Sequence, residues 1–280
     1  MKRVDLKMFK TLLVISVMSG CLACGRFSYA QSAPNFALIP LKVDKERQLP
    51  LDHRVVMDIK VYDADTAIAV LNNWDGIEMV DRKDNLLSLS ISVSSTDISK
   101  PTPEALTRFK ANTFVIDFEE EAVQRVLADF STEFSSEQSD ANQLTTIGKS
   151  IEKFVAGYIS EPTYIHSFSF ASRVATSRSG DCTEYSVLTA ALARALKIPA
   201  RVIIGTIIVE GEEGVEAYGH AWSELWLDGQ WSRIDAAMYS AEALKKFYLP
   251  AHILDNEGLG YALGLSKAIF NMPEQITIRS

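Results

Sequence analysis

The sequence predicts an α+β fold in which amphipathic helices precede a set of antiparallel strands. From Leu144 apolar residues recur at three- and four-residue spacings, which is the period of a helix with one buried face. From Arg201 the period changes to two, and Asp228-Gly229 marks a tight hairpin between two strands. We therefore expect a helical half packed on an antiparallel sheet.

The first thirty residues have the order of a secretory signal peptide. A basic start precedes the apolar or small run from Thr11 to Gly25, and small residues end the segment at Ala30. The apolar run is shorter than the roughly 20 residues that a membrane-spanning helix needs. We predict cleavage before Gln31, a periplasmic or secreted protein, and no stable membrane insertion. The alternative is a lipoprotein anchored through Cys21.

Residues 31–130 are predicted to form a small α+β domain. The patterns that predict it are a strand at His53–Tyr62, a helix at Ala64–Trp74, a strand at Asn85–Val93 and a helix at Glu119–Phe130. The Ser-, Gln- and acid-rich residues 131–142 are interpreted as a surface linker. Residues 143–280 then form the second domain, including a C-terminal extension.

Charge and cysteine content limit the functions of the chain. Its net charge of −8 makes binding to nucleic acid or anionic lipid through bulk charge unfavourable. Two of its three cysteines lie inside the predicted signal peptide, which leaves Cys182 as the thiol of the mature protein. Cys182 is therefore either a small buried hydrophobe or a reactive group.

Cys182 is predicted to begin a helix that ends near Leu196. Asp181 is the expected N-cap and Glu184 the third helical residue, so the two form a capping box. Free N–H groups and the positive end of the helix dipole favour a thiolate over a thiol in the first turn. Asp181 acts in the opposite sense, so a cationic partner is needed. The expected buried stripe of this helix is Tyr185, Leu188, Leu192, Ala195 and Leu196.

The hairpin indicates which histidine supplies that cation. With Asp228-Gly229 as a two-residue turn, the facing pairs are Leu227 with Gln230, Trp226 with Trp231, Glu224 with Arg233, and Trp222 with Asp235. An aromatic pair and an opposite-charge pair support this register. His220 then becomes the diagonal neighbour of Asp235, with Cβ atoms about 7–8 Å apart or less. A three-residue loop would instead place the two on opposite faces unless a bulge intervened.

A carboxylate that holds one imidazole nitrogen leaves the other nitrogen free to take a thiol proton. Cys182, His220 and Asp235 are thus candidates for a thiolate–imidazolium pair with an orienting carboxylate. The ordinary alternatives are a core cysteine, a strand histidine and a strand-end cap. The other histidines lack partners at meaningful spacing and are interpreted as structural or surface residues: His53, His166 and His252.

Several motifs together resemble the transglutaminase-like superfamily, which has a papain-like fold. They are Gly180-Asp181-Cys182-Thr183-Glu184-Tyr185, the run from Leu192 to Val202, Gly219-His220-Ala221-Trp222-Ser223-Glu224, Trp231 and Ile234-Asp235-Ala236. The resemblance extends from roughly Leu144 to Met238 and is strongest to exported bacterial members. It implies Cys182 as nucleophile, His220 as general base and acid, and Asp235 as its orienting partner. Tyr164 is the candidate for an additional group that holds the oxyanion.

The resemblance implies acyl transfer at amide bonds of a polypeptide or peptidoglycan-type substrate, without cofactor or metal. No flanking β-sandwich domain or calcium-binding acidic loop of the animal cross-linking enzymes is visible in the sequence, and water is the default acceptor, so we favour hydrolysis over cross-linking. A non-catalytic module that grips a peptide or cell-wall fragment is the competing interpretation. A structural protein with an inert Cys182 is the third.

Overall fold

The computed structural model of the chain describes residues 38–44, 49–137, 143–163 and 168–279. These residues all belong to one compact unit. The predicted signal peptide, Gln31, the oxyanion candidate Tyr164, and His166 lie outside the described residues. No helix in the described part of the chain combines the length and the apolarity needed to cross a bilayer.

Helices and strands both occur throughout the described part of the chain. The first half contains β1 (Leu41–Val43), β2 (Arg54–Lys60), α1 (Ala64–Leu71), β3 (Trp74–Lys83), β4 (Leu86–Asp97), α2 (Pro103–Arg108), α3 (Glu121–Glu137) and α4 (Gln143–Tyr158). The second half contains β5 (Glu161–Pro162), α5 (Ala171–Ser177), β6 (Ser179–Gly180), α6 (Cys182–Ala195), β7 (Ala200–Gly211), β8 (Gly214–Leu227), β9 (Gln230–Ile234), a 3-10 turn (Ala236–Met238), β10 (Lys245–Ile253), α7 (Tyr261–Asn271) and β11 (Gln275–Ile278). The α+β prediction is confirmed.

Two main sheets organise these elements. One has the strand order β1-β11-β2-β4-β3, and the other has the order β10-β7-β8-β9. Strand β11 pairs in parallel with β1 and antiparallel with β2, so it lies inside the first sheet. A short parallel pair, β5 with β6, leads into α6. The polypeptide after the second sheet thus returns to complete the first.

The second sheet is covered on both faces. Val202, Ile204 and Ala221 pack in a core with helices α3 to α6, whereas Ile203 and Trp222 pack in a core with α1 and the first sheet. Neighbouring residues of a strand point to opposite faces of the sheet. Because both faces of β7 are buried, its residues are apolar without alternation, as the β-branched run in its sequence shows. The sheet therefore connects the helical half to the N-terminal region through one continuous set of contacts.

Helix α6 is buried on nearly every side. The predicted helix from Cys182 to Leu196 is confirmed to within one residue at its end. The single buried stripe was wrong, because Val187, Ala190 and Ala191 are buried as well. Small side chains allow α4, α5 and the second sheet to approach α6 closely, so the helix start is held in a rigid setting.

Helix α3 continues into the segment that we interpreted as a linker. It ends at Glu137, and the following residues 138–142 lie outside the described part of the chain. The Ser131 and Thr132 hydroxyls donate to the carbonyls four residues before them, and Phe130 stacks on Phe134 at 5.5 Å. The hydroxyl bonds satisfy the two polar side chains within the helix, and the ring contact packs its apolar face. The domain boundary itself stays a prediction.

Candidate active site

The predicted capping box fixes the backbone at the start of α6. The Asp181 carboxylate accepts from the Thr183 N–H at 2.9 Å, and the Glu184 carboxylate accepts from the Asp181 N–H at 3.0 Å. The second Glu184 oxygen accepts from the Ser169 N–H at 2.8 Å. Burial is the main cause that raises the pKa of Glu184, and the two backbone hydrogen bonds oppose it. Cys182 is therefore the first residue of a firmly capped helix, and its side chain is half-buried.

Gly180 makes this cap possible. A Cβ atom at Gly180 would lie 2.2 Å from the Cβ and 2.5 Å from the Cγ of Glu184. Distances this short are not tolerated between non-bonded carbon atoms, so the folded-back Glu184 side chain requires glycine at this position. The helix cap therefore accounts for four of the five residues in the motif Gly180-Asp181-Cys182-Thr183-Glu184, and Cys182 is the one it does not explain.

The predicted hairpin register is confirmed. Leu227 pairs with Gln230, and the ladder continues to Ser223 with Ile234. Asp228 and Gly229 have φ angles of 51° and 80°, as a two-residue type I′ turn requires. The rings of the predicted aromatic pair, Trp226 and Trp231, are 5.2 Å apart between centroids.

The predicted side-chain ion pair in this hairpin was wrong. Glu224 and Arg233 are backbone partners, but the buried Glu224 carboxylate accepts from Arg201 of β7 at 2.6 Å. Arg233 instead stacks over the ring of Tyr248 at 3.8 Å and donates to the Ser95 carbonyl at 3.0 Å. Register specifies which backbones are opposite, whereas the partner of a long side chain depends on every strand around it.

The hairpin brings His220 and Asp235 into direct contact. The Nε2 atom of His220 is 2.9 Å from Oδ2 of Asp235, and both side chains are buried. Cys182 lies close enough to His220 for its side chain to raise the pKa of the imidazole. Because Nε2 is engaged by the carboxylate, Nδ1 is the imidazole nitrogen left for the thiol. The structure therefore brings Cys182, His220 and Asp235 together; their catalytic roles stay predictions.

Electrostatics favours a charged imidazole in this setting. Burial on its own lowers the pKa of His220, but the Asp235 charge, its hydrogen bond and the contact with Cys182 outweigh burial and raise the pKa to about 10. Burial likewise raises the pKa of Asp235, yet the His220 charge and the hydrogen bonds from His220 and Tyr248 hold it below its ordinary value. An imidazolium–carboxylate pair is thus the expected state near neutral pH.

Two residues that sequence reasoning missed also hold Asp235. The Tyr248 hydroxyl donates to Oδ2 at 2.7 Å, and the Asp235 N–H donates to Oε1 of Glu152 at 2.8 Å. The Met238 N–H reaches Oδ1 at 3.3 Å, so Asp235 also caps the 3-10 turn. No short motif marks Tyr248 or Glu152, which lie on β10 and α4 far from Asp235 in sequence. Only the tertiary packing reveals them.

The space beside this cluster is polar. A cavity of about 400 Å³ is lined by His53, Glu152, Arg233, Asp235, Lys246 and Tyr248 among other residues. The exposed His53, interpreted from the sequence as structural or surface, lies at this cavity. His252 lies elsewhere, with Nε2 3.7 Å from an Asp255 oxygen, and burial lowers its pKa.

Comparison with known proteins relates part of the chain to a protein family. The model of the transglutaminase-like superfamily matches residues 129–236, so this part of the chain is a transglutaminase-like domain. The predicted resemblance and the papain/transglutaminase-like fold class are thereby confirmed. None of the curated proteins matches the chain.

Solved structures with a similar fold include two bacterial proteins. One, from Cytophaga hutchinsonii, has been proposed to be a cysteine protease; it is 13% identical over 71% of this chain and 76% of its own, with a TM-score of 0.44. The other is the periplasmic domain of TgpA from Pseudomonas aeruginosa, which is 16% identical over 67% of this chain and 71% of its own, with a TM-score of 0.43.

Proposed function

We propose that this chain is an exported cysteine-nucleophile enzyme that hydrolyses amide bonds in a polypeptide or peptidoglycan-type substrate. The observation that carries the proposal is the hydrogen bond between His220 and Asp235 close to Cys182, which begins helix α6 and raises the pKa of the imidazole. Positive helix ends and an adjacent imidazolium are the recognised environment of reactive thiolates. The presence of a transglutaminase-like domain at residues 129–236 supports the same class of chemistry.

The first half of the reaction is an acyl transfer to sulfur. The Cys182 thiolate attacks the amide carbonyl carbon, and the π electrons of the C=O bond move to oxygen. Backbone N–H groups at the start of α6 stabilise the resulting oxyanion. When the C–N bond breaks, the nitrogen takes the proton from Nδ1 of His220 and leaves as the amine. A thioester on Cys182 and a neutral imidazole remain.

The second half restores the enzyme. Neutral His220 takes a proton from water, and the hydroxide attacks the thioester carbonyl carbon. The C–S bond breaks, which releases the carboxylic acid product and returns the thiolate beside the imidazolium. The net reaction consumes one water and yields one carboxylic acid and one amine, and the proton that His220 takes from water replaces the one it gave to the amine. Asp235 keeps the proton on Nε2 throughout and stabilises the positive charge of the ring.

Mass analysis of products tests this proposal directly. The mature protein and its Cys182→Ala variant are incubated separately with unstructured polypeptides and with peptidoglycan fragments. A mass gain of one water per cleaved bond, absent with the variant, supports hydrolysis. Products joined to an added amine would instead identify a transferase. Binding without any covalent change in either protein would indicate the non-catalytic module.

A further inference from the structure

Tyr248 contacts the same carboxylate oxygen that holds the histidine. Its hydroxyl lies 2.7 Å from Oδ2 of Asp235, and Nε2 of His220 lies 2.9 Å from that atom. The other oxygen, Oδ1, accepts only the longer bond of 3.3 Å from the Met238 N–H among the contacts of the described residues. Without the Tyr248 hydroxyl, Oδ2 would keep only the His220 contact, and the carboxylate would be held less firmly beside the imidazole.

The ring of Tyr248 is itself held rigidly. The Arg233 guanidinium stacks on it at 3.8 Å, and the Trp222 ring meets it edge-on at 5.2 Å. The residue is almost fully buried in β10, on the strand next to β7. The hydroxyl is therefore a donor fixed in place, and a fixed donor costs little ordering when the charge on the site changes.

We propose that Tyr248 is a positioning residue of this site, which fixes the Asp235 carboxylate and maintains its charge so that His220 stays oriented toward Cys182. This inference rests on the proposed function and adds a fourth member to its catalytic array. A hydrogen bond donated by a phenol stabilises a charged carboxylate more than a neutral carboxylic acid. Tyr248 thus acts through Asp235 and does not touch the reacting atoms.

The groups that could titrate around Asp235 come from five elements. They are His220 on β8, Arg233 on β9, Lys246 and Tyr248 on β10, Glu152 on α4 and Cys182 on α6. Among the other acidic groups, Glu152 is the one whose titration could be mistaken for that of Asp235, because its carboxylate accepts the Asp235 N–H. A test of Tyr248 must therefore separate the titration of Asp235 from that of Glu152.

The test measures how fast iodoacetamide alkylates Cys182 as a function of pH, by peptide mass, so it needs no substrate. Tyr248→Phe removes the hydroxyl and keeps the ring. Because Asp235 is then held less firmly beside His220, the imidazolium that stabilises the thiolate is weakened. The pH at which the labelling rate rises should therefore increase by about one unit, which makes labelling about tenfold slower below that pH. Placing 3-fluorotyrosine at 248 gives a stronger donor and should shift the rise to lower pH.

Three further variants make the result specific. Tyr158→Phe is the matched control, since it removes another 2.7 Å hydroxyl contact, to the Ala175 carbonyl, and should leave the profile unchanged. In a Glu152→Gln background the shift caused by Tyr248→Phe should persist. In an Asp235→Asn background it should disappear, because the acceptor carboxylate is gone.

Two results would overturn the inference in distinguishable ways. If folded wild-type protein shows no labelling of Cys182 at any pH below unfolding, the proposed function fails, and the role of Tyr248 fails with it. If Cys182 is labelled and Asp235→Asn shifts the profile, but Tyr248→Phe and the fluorinated residue do not, only the role of Tyr248 fails. Thermal unfolding checks that each variant is folded.

Discussion

At the residue scale, the nitrogen of His220 that Asp235 holds determines which nitrogen can take the proton of the Cys182 thiol. Asp235 holds Nε2 of His220, so a neutral imidazole keeps its proton on that nitrogen and leaves Nδ1 as the basic one. A carboxylate can only accept a hydrogen bond, whereas an amide can donate one and stabilise the opposite tautomer. The identity of one atom in Asp235 therefore decides which nitrogen of His220 is basic.

We expect Asp235→Asn to lower the rate of Cys182 alkylation and of amide hydrolysis by at least about 100-fold, with the fold retained. The amide favours the wrong tautomer and removes the negative charge that stabilises the imidazolium. Steady-state kinetics and the alkylation rate measure the effect. A change of less than a few-fold would remove Asp235 from the mechanism.

The control for that substitution needs an aspartate remote from the site. Asp58→Asn makes the same chemical change in the first sheet, where the carboxylate accepts from Ser88 and Arg279. It should leave labelling of Cys182 unchanged. Glu224→Gln is unsuitable because the Glu224 carboxylate is buried against Arg201, so its loss would perturb the sheet. Equal losses from Asp235→Asn and Asp58→Asn would point to general damage to the fold.

The raised pKa of His220 predicts how stability changes with pH. An imidazole with an ordinary pKa of 6.5 when unfolded and about 10 when folded stabilises the native state fully below pH 6.5, and this contribution is lost as pH rises toward 10. We therefore compare the unfolding free energies of the Cys182→Ala and Cys182→Ala/His220→Gln proteins. The first protein should be the more stable, and the difference between them should be larger at pH 6 than at pH 10. The Cys182→Ala background removes the thiol from the titration. Urea unfolding at both pH values measures this difference in unfolding free energy. A difference that does not change with pH would contradict the raised pKa of His220.

At the element scale, the start of α6 depends on one close backbone approach. We expect Gly180→Ala to destabilise the protein by about 1–3 kcal/mol, because the new Cβ atom displaces the Glu184 side chain and opens the cap. Labelling of Cys182 should fall with it. Gly157→Ala in α4, where an added Cβ meets nothing within 4 Å, should be neutral or slightly stabilising. Chemical denaturation of both variants tests the contrast, and equal effects would refute it.

The elements that could be predicted from the sequence are those with local signals. The Asp228-Gly229 turn and the α6 cap are specified by residues next to each other, and both were found. Strand β3 was missed because most of its residues are exposed and show no alternation, so its first residue, Trp74, was assigned to the preceding helix. Strand β10 contains Pro250 beside a register shift, which interrupts the usual strand pattern.

At the scale of the whole molecule, a buried ion cluster joins the two sheets. Arg201 of β7 contacts Asp97 at the end of β4 and Glu224 of β8, and its guanidinium stacks on Trp231 at 3.8 Å. Burial is the main cause that raises the pKa of Glu224, and the Arg201 charge opposes it. Both carboxylates therefore depend on one cation.

We expect Arg201→Met to cost about 3–5 kcal/mol of unfolding free energy, because two buried carboxylates lose their counter-charge. The loss should be smaller at low pH, because the raised pKa of Glu224 lets its carboxyl become neutral there. Arg54→Met, which removes an exposed pair with Glu78, should cost about 1 kcal/mol or less. Urea unfolding of the two variants compares them, and similar losses would show that the Arg201 cluster contributes no more than a surface pair.

Only some residues of the candidate site could be predicted from the sequence. Cys182, His220 and Asp235 could be selected because each lies beside a local signal, a helix cap or a hairpin register. Tyr248 and Glu152 could not, since their contact with Asp235 depends on how β10 and α4 pack around the hairpin. The oxyanion candidate Tyr164 lies outside the described residues and stays a prediction.

The position of β11 makes the first sheet depend on the last part of the described chain. Strands β1 and β2 are made early, but the strand that lies between them follows the candidate site in the chain. Pairings across so long a stretch of polypeptide form slowly, because a large loop must close first. Until β11 is present, β1 and β2 have edges without a partner in this sheet. The first sheet is therefore complete only once residues 275–278 have been made.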